Sequence, residues 1–119
     1  MADLTRKDVI VILAGSEHAR LAGVDFSGLD LHGLNFADAD LIRANFAGAD
    51  LTHAYMRHAQ LEDANLEGAI LVNANLKEAN LKGARLRNAR LSGAMLADAN
   101  LYKADVTEAA LNEALGASR

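Results

Sequence analysis

The sequence predicts an all-β solenoid of very short stacked strands, with a helix laid over its N-terminal end. Three observations carry this reading. From Leu21 to Leu111 every fifth residue is a large apolar side chain. The residue two places before it is alanine at nearly every step. Glycine, Asn or Asp recurs two places after it, at Gly23, Gly28, Gly33, Asp38, Gly48, Asp63, Gly68, Asn73, Gly83, Asn88, Gly93 and Asp98. A repeat of fixed short period marks a stacked architecture in which each unit buries its apolar face against the next.

Leucine, alanine, glutamate and lysine are good helix formers, so propensity alone favours helix through most of the chain. The period excludes it. Residues five apart on an α-helix are turned by about 140° beyond a full turn, so the leucines wind around the cylinder instead of forming a stripe. In extended chain, Ala64 and Leu66 face the same way and Asn65 faces outward. The next inward residue, Ala69, is three places on from Leu66. That odd step requires a corner, and glycine, Asn and Asp tolerate the positive φ that corners use.

Taken in order, residues 1–18 read as an N-terminal capping segment. Thr5 and Asp8 have the spacing of a capping box with an acid in the reciprocal position, and Leu4 and Val9 are placed for a hydrophobic staple. Val9, Ile12 and Leu13 are expected on one face, and Gly15 is expected to end a helix running from about Arg6 to Ala14. The repeat occupies 19–113. Val24, Leu29 and Leu34 fill slots that hold alanine from Ala39 onward. Extra methylenes in a filled interior cost about 1–3 kcal/mol per site, so the first coil must differ, and these side chains are expected to meet the cap. Past Thr107 two readings stay open. Thr107 suits the cap of a short helix carrying Leu111 and Leu115, whereas Ala109, Leu111 and Ala114 keep the five-residue register. The helix is the favoured one, with a tail over 114–119.

The segments ADADLIRANFAGADLTHA and LEDANLEGAILVNANLKEANLKGARLRNARLSGAMLADANL follow the pattern A-(D/N)-L-x-x, and in this the chain resembles the pentapeptide-repeat family from Ala19 to Glu113. The resemblance implies a right-handed, four-sided β-helix with four pentapeptides per coil. At about 4.8 Å per coil, nearly five coils give a rod roughly 24 Å long.

Composition narrows function mainly by exclusion. The 119 residues carry a net charge of -4 from 16 acidic and 12 basic side chains, which favours solubility and does not point to a nucleic-acid partner. No cysteine is present, which excludes disulfides and thiolate metal sites. The apolar stretch within MADLTRKDVIVILAG is too short and too interrupted for a spanning helix, and no small-residue cleavage site follows it, so a cytoplasmic protein without a membrane span is expected. No phosphate loop, nucleophile elbow or metalloprotease motif occurs, and neither catalysis nor a cofactor is expected.

Four groups of outward residues are candidates for function. His32, His53 and His58 are the best metal or acid-base candidates, yet no paired spacing supports them, and they read as surface histidines. Lys77, Lys82, Arg85, Arg87 and Arg90 form a basic belt that runs around the coil without stacking aromatics, which argues for a solvated belt. Ile70 and Val72 on one side, with Tyr55 and Met95 on the next, form a candidate partner-binding surface. Asp25, Asp30, Asp40 and Asp50 have two readings: hydrogen bonding to neighbouring backbone, or imitation of DNA phosphates. The second follows from the resemblance, because some pentapeptide-repeat proteins have the width and charge of duplex DNA and bind DNA gyrase. The primary expectation is therefore a non-catalytic interaction scaffold with an unidentified protein partner, and the alternative is a DNA mimic that modulates gyrase. Either a monomer or a C-terminal dimer through Leu111 and Leu115 fits the sequence.

Overall fold

The computed structural model describes residues 4–116, so the start of the capping segment and the end of the expected tail lie outside the described residues. Two helices flank the repeat, α1 (Arg6–Ala14) and α2 (Glu108–Glu113). Between them the chain forms one-residue parallel bridges, each linking residues twenty apart: Arg20 to Asp40, Asp40 to Gln60, Gln60 to Asn80 and Asn80 to Asn100 on one side. Twenty residues make one coil, and four pentapeptides make its four sides.

The repeat Ala64–Gly68 shows why the pattern folds this way, because each of its five N–H groups has its own partner. Ala64 N donates to Leu61 O and closes the preceding corner. Asn65 N donates down to Ala44 O at 2.9 Å, and Leu66 N and Gly68 N donate up to Arg85 O at 2.7 Å and Arg87 O at 2.9 Å. The fifth, Glu67 N, donates to the Asn65 side chain at 3.0 Å. That last bond is the physical reason for Asp or Asn in the second slot. Each corner is a four-residue turn, closed here by Ala69 N to Leu66 O at 3.1 Å with Gly68 at φ +67, the geometry of a type II turn.

Inside, the alanine and large apolar slots stack into a core, and among the described residues no polar or charged residue is buried. Because equivalent side chains recur at the coil spacing, Phe26 and Phe46 stack with centroids 4.8 Å apart, and Phe36 meets both edge-on from across the interior at 5.9 and 5.8 Å. Aromatic pairs in these geometries each add about 0.5–1.5 kcal/mol beyond their buried area.

Both ends close as their sequences suggest, with one correction. The capping box of α1 is complete: the Thr5 hydroxyl accepts from Asp8 N at 3.2 Å and the Asp8 carboxylate accepts from Thr5 N at 2.9 Å. Val9 is fully buried and Leu4 and Leu13 are half-buried against the core, as are Val24, Leu29 and Leu34. Ile12 does not share the buried face expected of it. It is 38% exposed, because one residue beyond Val11 the helix has turned it to the flank. Gly15 ends α1 with an ordinary negative φ.

At the other end both open readings hold in part. Thr107 caps α2 by accepting from Ala110 N, and Leu111 is buried. The chain then rejoins the ladder at Leu115, which bridges Met95 twenty residues back. The helix thus replaces a stretch of the last coil without losing register.

Candidate functional surface

Because the coil length is fixed, the outward slots stack in columns, and these decide which candidates meet. One column is Asp30, Asp50, Ile70 and Arg90; the next around the rod is Asn35, Tyr55, Asn75, Met95 and Leu115. Ile70 and Val72 are half-buried, with an acid one coil before Ile70 and a base one coil after. Tyr55 is 57% exposed, and Asn75 separates it from the half-buried Met95. The four residues occupy two adjoining sides around the corner at Asn73, with polar residues between them.

The candidate aspartates lie on three sides, and of the four only Asp30 and Asp50 stack directly. Each accepts the backbone N–H two places on: Ser27 for Asp25, His32 for Asp30, Ile42 for Asp40 and Thr52 for Asp50, at 2.9, 3.3, 3.2 and 3.0 Å. The Ser27 hydroxyl and then its N–H hold Asp25 below the usual carboxylate value. The His32 ring and then its N–H do the same for Asp30.

The histidines do not converge. His32 Nδ1 lies 2.6 Å from Asp30 Oδ1 and, since a carboxylate only accepts, is the donor. His58 Nε2 is 3.0 Å from Glu78 one coil on, and Arg57 reaches the other oxygen of the same carboxylate at 3.2 Å. His53 and His58 sit at corner positions with φ +59 and +61. Among the described residues no group of three His, Cys, Asp or Glu side chains is arranged to hold a metal ion. The basic belt is partly neutralised, since Arg85 pairs with Glu67 at 3.6 Å and Arg87 with Asp105 at 3.3 Å. Both pairs are exposed, and such pairs contribute little stability.

Arg6 has a role that no sequence signal revealed. One coil in, the carbonyls of Asp50 and Thr52 accept from Leu31 N and Gly33 N at 2.8 and 2.9 Å. In the first coil the equivalent carbonyls belong to Asp30 and His32, which have no earlier coil beneath them. The two terminal nitrogens of Arg6 supply the donors instead, each at 3.0 Å. A guanidinium matches this pair because its N–H groups are held in a rigid planar fork. Arg43, Glu78 and Lys103 were also missed, as corner residues with positive φ. Their signal was the register itself, two places after the large apolar residue.

Depressions occur beside the cap helix. A groove of about 550 Å³ lies between α1 and the first coil, lined in part by Ile10, Leu13 and Leu34. A second of about 340 Å³ lies on the other flank, lined by Leu4, Ile12, Leu21, Val24 and Asp25.

Residues 19–58, 59–94 and 74–113 match the profile of the family described as Pentapeptide repeats (8 copies). The chain belongs to the pentapeptide-repeat family. Among solved structures this pentapeptide-repeat chain is similar to Rfr23, a pentapeptide repeat protein from the cyanobacterium Cyanothece 51142, with a TM-score of 0.63 and 32% identity. That match covers 76% of this chain and 58% of Rfr23. A pentapeptide repeat protein of the Arabidopsis thaliana thylakoid lumen gives a TM-score of 0.43 and 32% identity over 74% of this chain and 61% of its own. Trypsin-treated QnrB1, a plasmid-mediated fluoroquinolone resistance protein, gives 0.44 and 19% over 76% and 62%. This chain therefore spans less than two thirds of each. No curated protein matches it. No helix among the described residues is long and apolar enough to cross a membrane.

Proposed function

We propose that this pentapeptide-repeat protein is a non-catalytic, cytoplasmic scaffold whose sides present outward side chains to a protein partner. One observation carries the reading. Asp or Asn in the second slot binds its own backbone, as at Asn45, Asn65, Asn75, Asn80 and Asn100. From Tyr55 to Met95 that slot is instead Tyr55, Gln60, Ile70, Arg85, Arg90 and Met95 in six of its nine occurrences. Each exchange gives up a bond with a net worth of about 0.5–1.5 kcal/mol. Concentrating these exchanges in the middle and upper coils suits a surface selected for contact over local stability.

The test is affinity capture with the wild type beside a variant carrying Tyr55→Ser, Ile70→Asn, Val72→Thr and Met95→Asn. Loss of a captured partner supports the scaffold reading, and unchanged capture removes this surface from it. A DNA gyrase supercoiling assay separates the alternative. The variant there replaces Asp25, Asp30, Asp40 and Asp50 with Asn, which removes charge but keeps the acceptor for each turn. Dose-dependent inhibition by the wild type that this variant loses would establish the phosphate-mimic reading in place of the scaffold.

A further inference from the structure

We propose that the N-terminal end of the rod is a self-association surface, on which α1 of a second copy packs antiparallel across α1 of the first. Five consecutive aliphatic residues, Val9 to Leu13, form the middle of α1, and only Val9 is fully buried. Ile10, Val11 and Ile12 are 43%, 68% and 38% exposed. They make up half of the six large apolar side chains that are exposed among the described residues. Ile10 and Ile12 overhang the two grooves, whose walls include Leu13 and Leu34 on one flank and Leu4, Leu21 and Val24 on the other. The result is an apolar ridge with a furrow on each side, mostly apolar on the flank of Leu4, Leu21 and Val24 and edged by Ser16, Glu17, Asn35 and Asp38 on the other. A second ridge crossing it fills the furrows of both copies at once.

Charge selects the occupant. Lys7, Val11 and Ala14 share the outer stripe of the helix, being four and three residues apart. Lys7 is exposed and has no ion pair or hydrogen bond among the described residues. At the far end α1 has no basic residue in its last turn, and the exposed Glu17 follows it. The C-terminus of a helix carries partial negative charge and favours a cation. An antiparallel mate places its Lys7 there, and the two-fold axis repeats the contact with the roles exchanged. Nearly five coils at about 4.8 Å plus a helix of about 10 Å account for the 35 Å length of the molecule, leaving an end of 26 by 21 Å. That footprint allows about 1,100 Å² for the two copies together, at the low end for specific interfaces, so the dimer is expected to be concentration-dependent.

The experiment is sedimentation equilibrium of the full chain from low micromolar to millimolar concentration. The wild-type mass should rise from 12.6 kDa toward twice that value. Val11→Glu should weaken association by about tenfold or more while leaving the thermal midpoint unchanged at low micromolar concentration, where both proteins are monomeric, since the side chain is exposed. Lys7→Glu should also weaken it, and Lys7→Glu with Glu17→Lys should restore it. A wild type that keeps monomer mass throughout overturns the proposal, including one that stays monomeric yet sediments with phosphatidylcholine vesicles. So does a mass increase abolished by Leu115→Asp but not by Val11→Glu, which would place association at the opposite end.

Discussion

Replacing Arg6 with methionine keeps most of the apolar stem but removes the fork that stands in for two ladder donors of an absent coil. Hydrogen bonds from a charged group are worth about 1.5–3 kcal/mol each, yet the Arg6 side chain is 33% exposed, and water can reach both carbonyls once the guanidinium is gone. We therefore expect a loss of about 2 kcal/mol for the two bonds together. The contact from Arg6 to the Asp30 carboxylate, at 3.5 Å and exposed, adds little. For a domain of this size the melting midpoint should fall by roughly 8 °C. Hydrogen exchange locates the effect: the amides of Val9 and Leu13 should exchange about thirtyfold faster, the factor equivalent to 2 kcal/mol, while those of Leu66 and Leu71 in the central coils change less. Arg6→Lys should retain part of the stability, because an ammonium is a point charge without the planar fork. If Arg6→Met melts like the wild type and leaves Val9 exchange unaltered, the substitute-donor account is wrong.

Four further predictions concern the coil. Ala49→Leu should destabilise by about 1–3 kcal/mol in a denaturant titration, because Ala49 is fully buried, whereas Leu29 in the same column is accommodated beside the cap; a rise in stability would reveal an interior void. Gly68→Ala and Gly83→Ala should each lose about 1 kcal/mol to positive φ, but Gly83→Ala should lose more because the Asp63 side chain occupies the space of the new methyl; equal midpoints would contradict this. Asn65→Ala should cost about 0.5–1.5 kcal/mol by stranding Glu67 N–H, and Asn65→Asp, which retains an acceptor, should cost less in the same titration. Asp8, Asp25 and Asp30 are held below the ordinary carboxylate value, so their stabilisation is present above about pH 4 and is lost as the pH falls through their folded values. Acid should therefore loosen the N-terminal coil first by hydrogen exchange, and Asp30→Asn should flatten the decline; an unchanged slope would reject the assignment.

Much of the architecture was legible because it depends on local geometry repeated many times. Ala64 and Leu66 share a face in any extended chain, the odd step to Ala69 demands a corner, and Gly68 supplies it. Thr5 and Asp8 announce a helix start through bonds three residues apart. Other features were not legible because distant chain determines them. Nothing near Arg6 in sequence indicates that its guanidinium will meet two carbonyls more than twenty residues away. Arg43, His53, His58, Glu78 and Lys103 carry no strong turn preference, yet all adopt positive φ, because ladder bonds to the next coil hold the corner at the first four and the turn bond from Ala104 N to Leu101 O closes it at Lys103. The candidate surface was only half legible: the column register brings Ile70 beside Asp50 and Arg90, but Ile70 and Val72 are less exposed than an outward slot implies.

Local chain chemistry dictates the pentapeptide unit: its inward pair, its corner, its self-bonded Asp or Asn, and the helix that precedes the repeat. These follow from steric and hydrogen-bonding rules acting within about five residues. The tertiary structure alone decided that four such units close a coil, because closure rests on bonds between residues about twenty apart. It also decided how the two ends are finished. An end coil lacks the neighbour that would satisfy its ladder, and the donors and apolar cover must come from whatever chain folding brings there: Arg6 and α1 at one end, and α2 at the other.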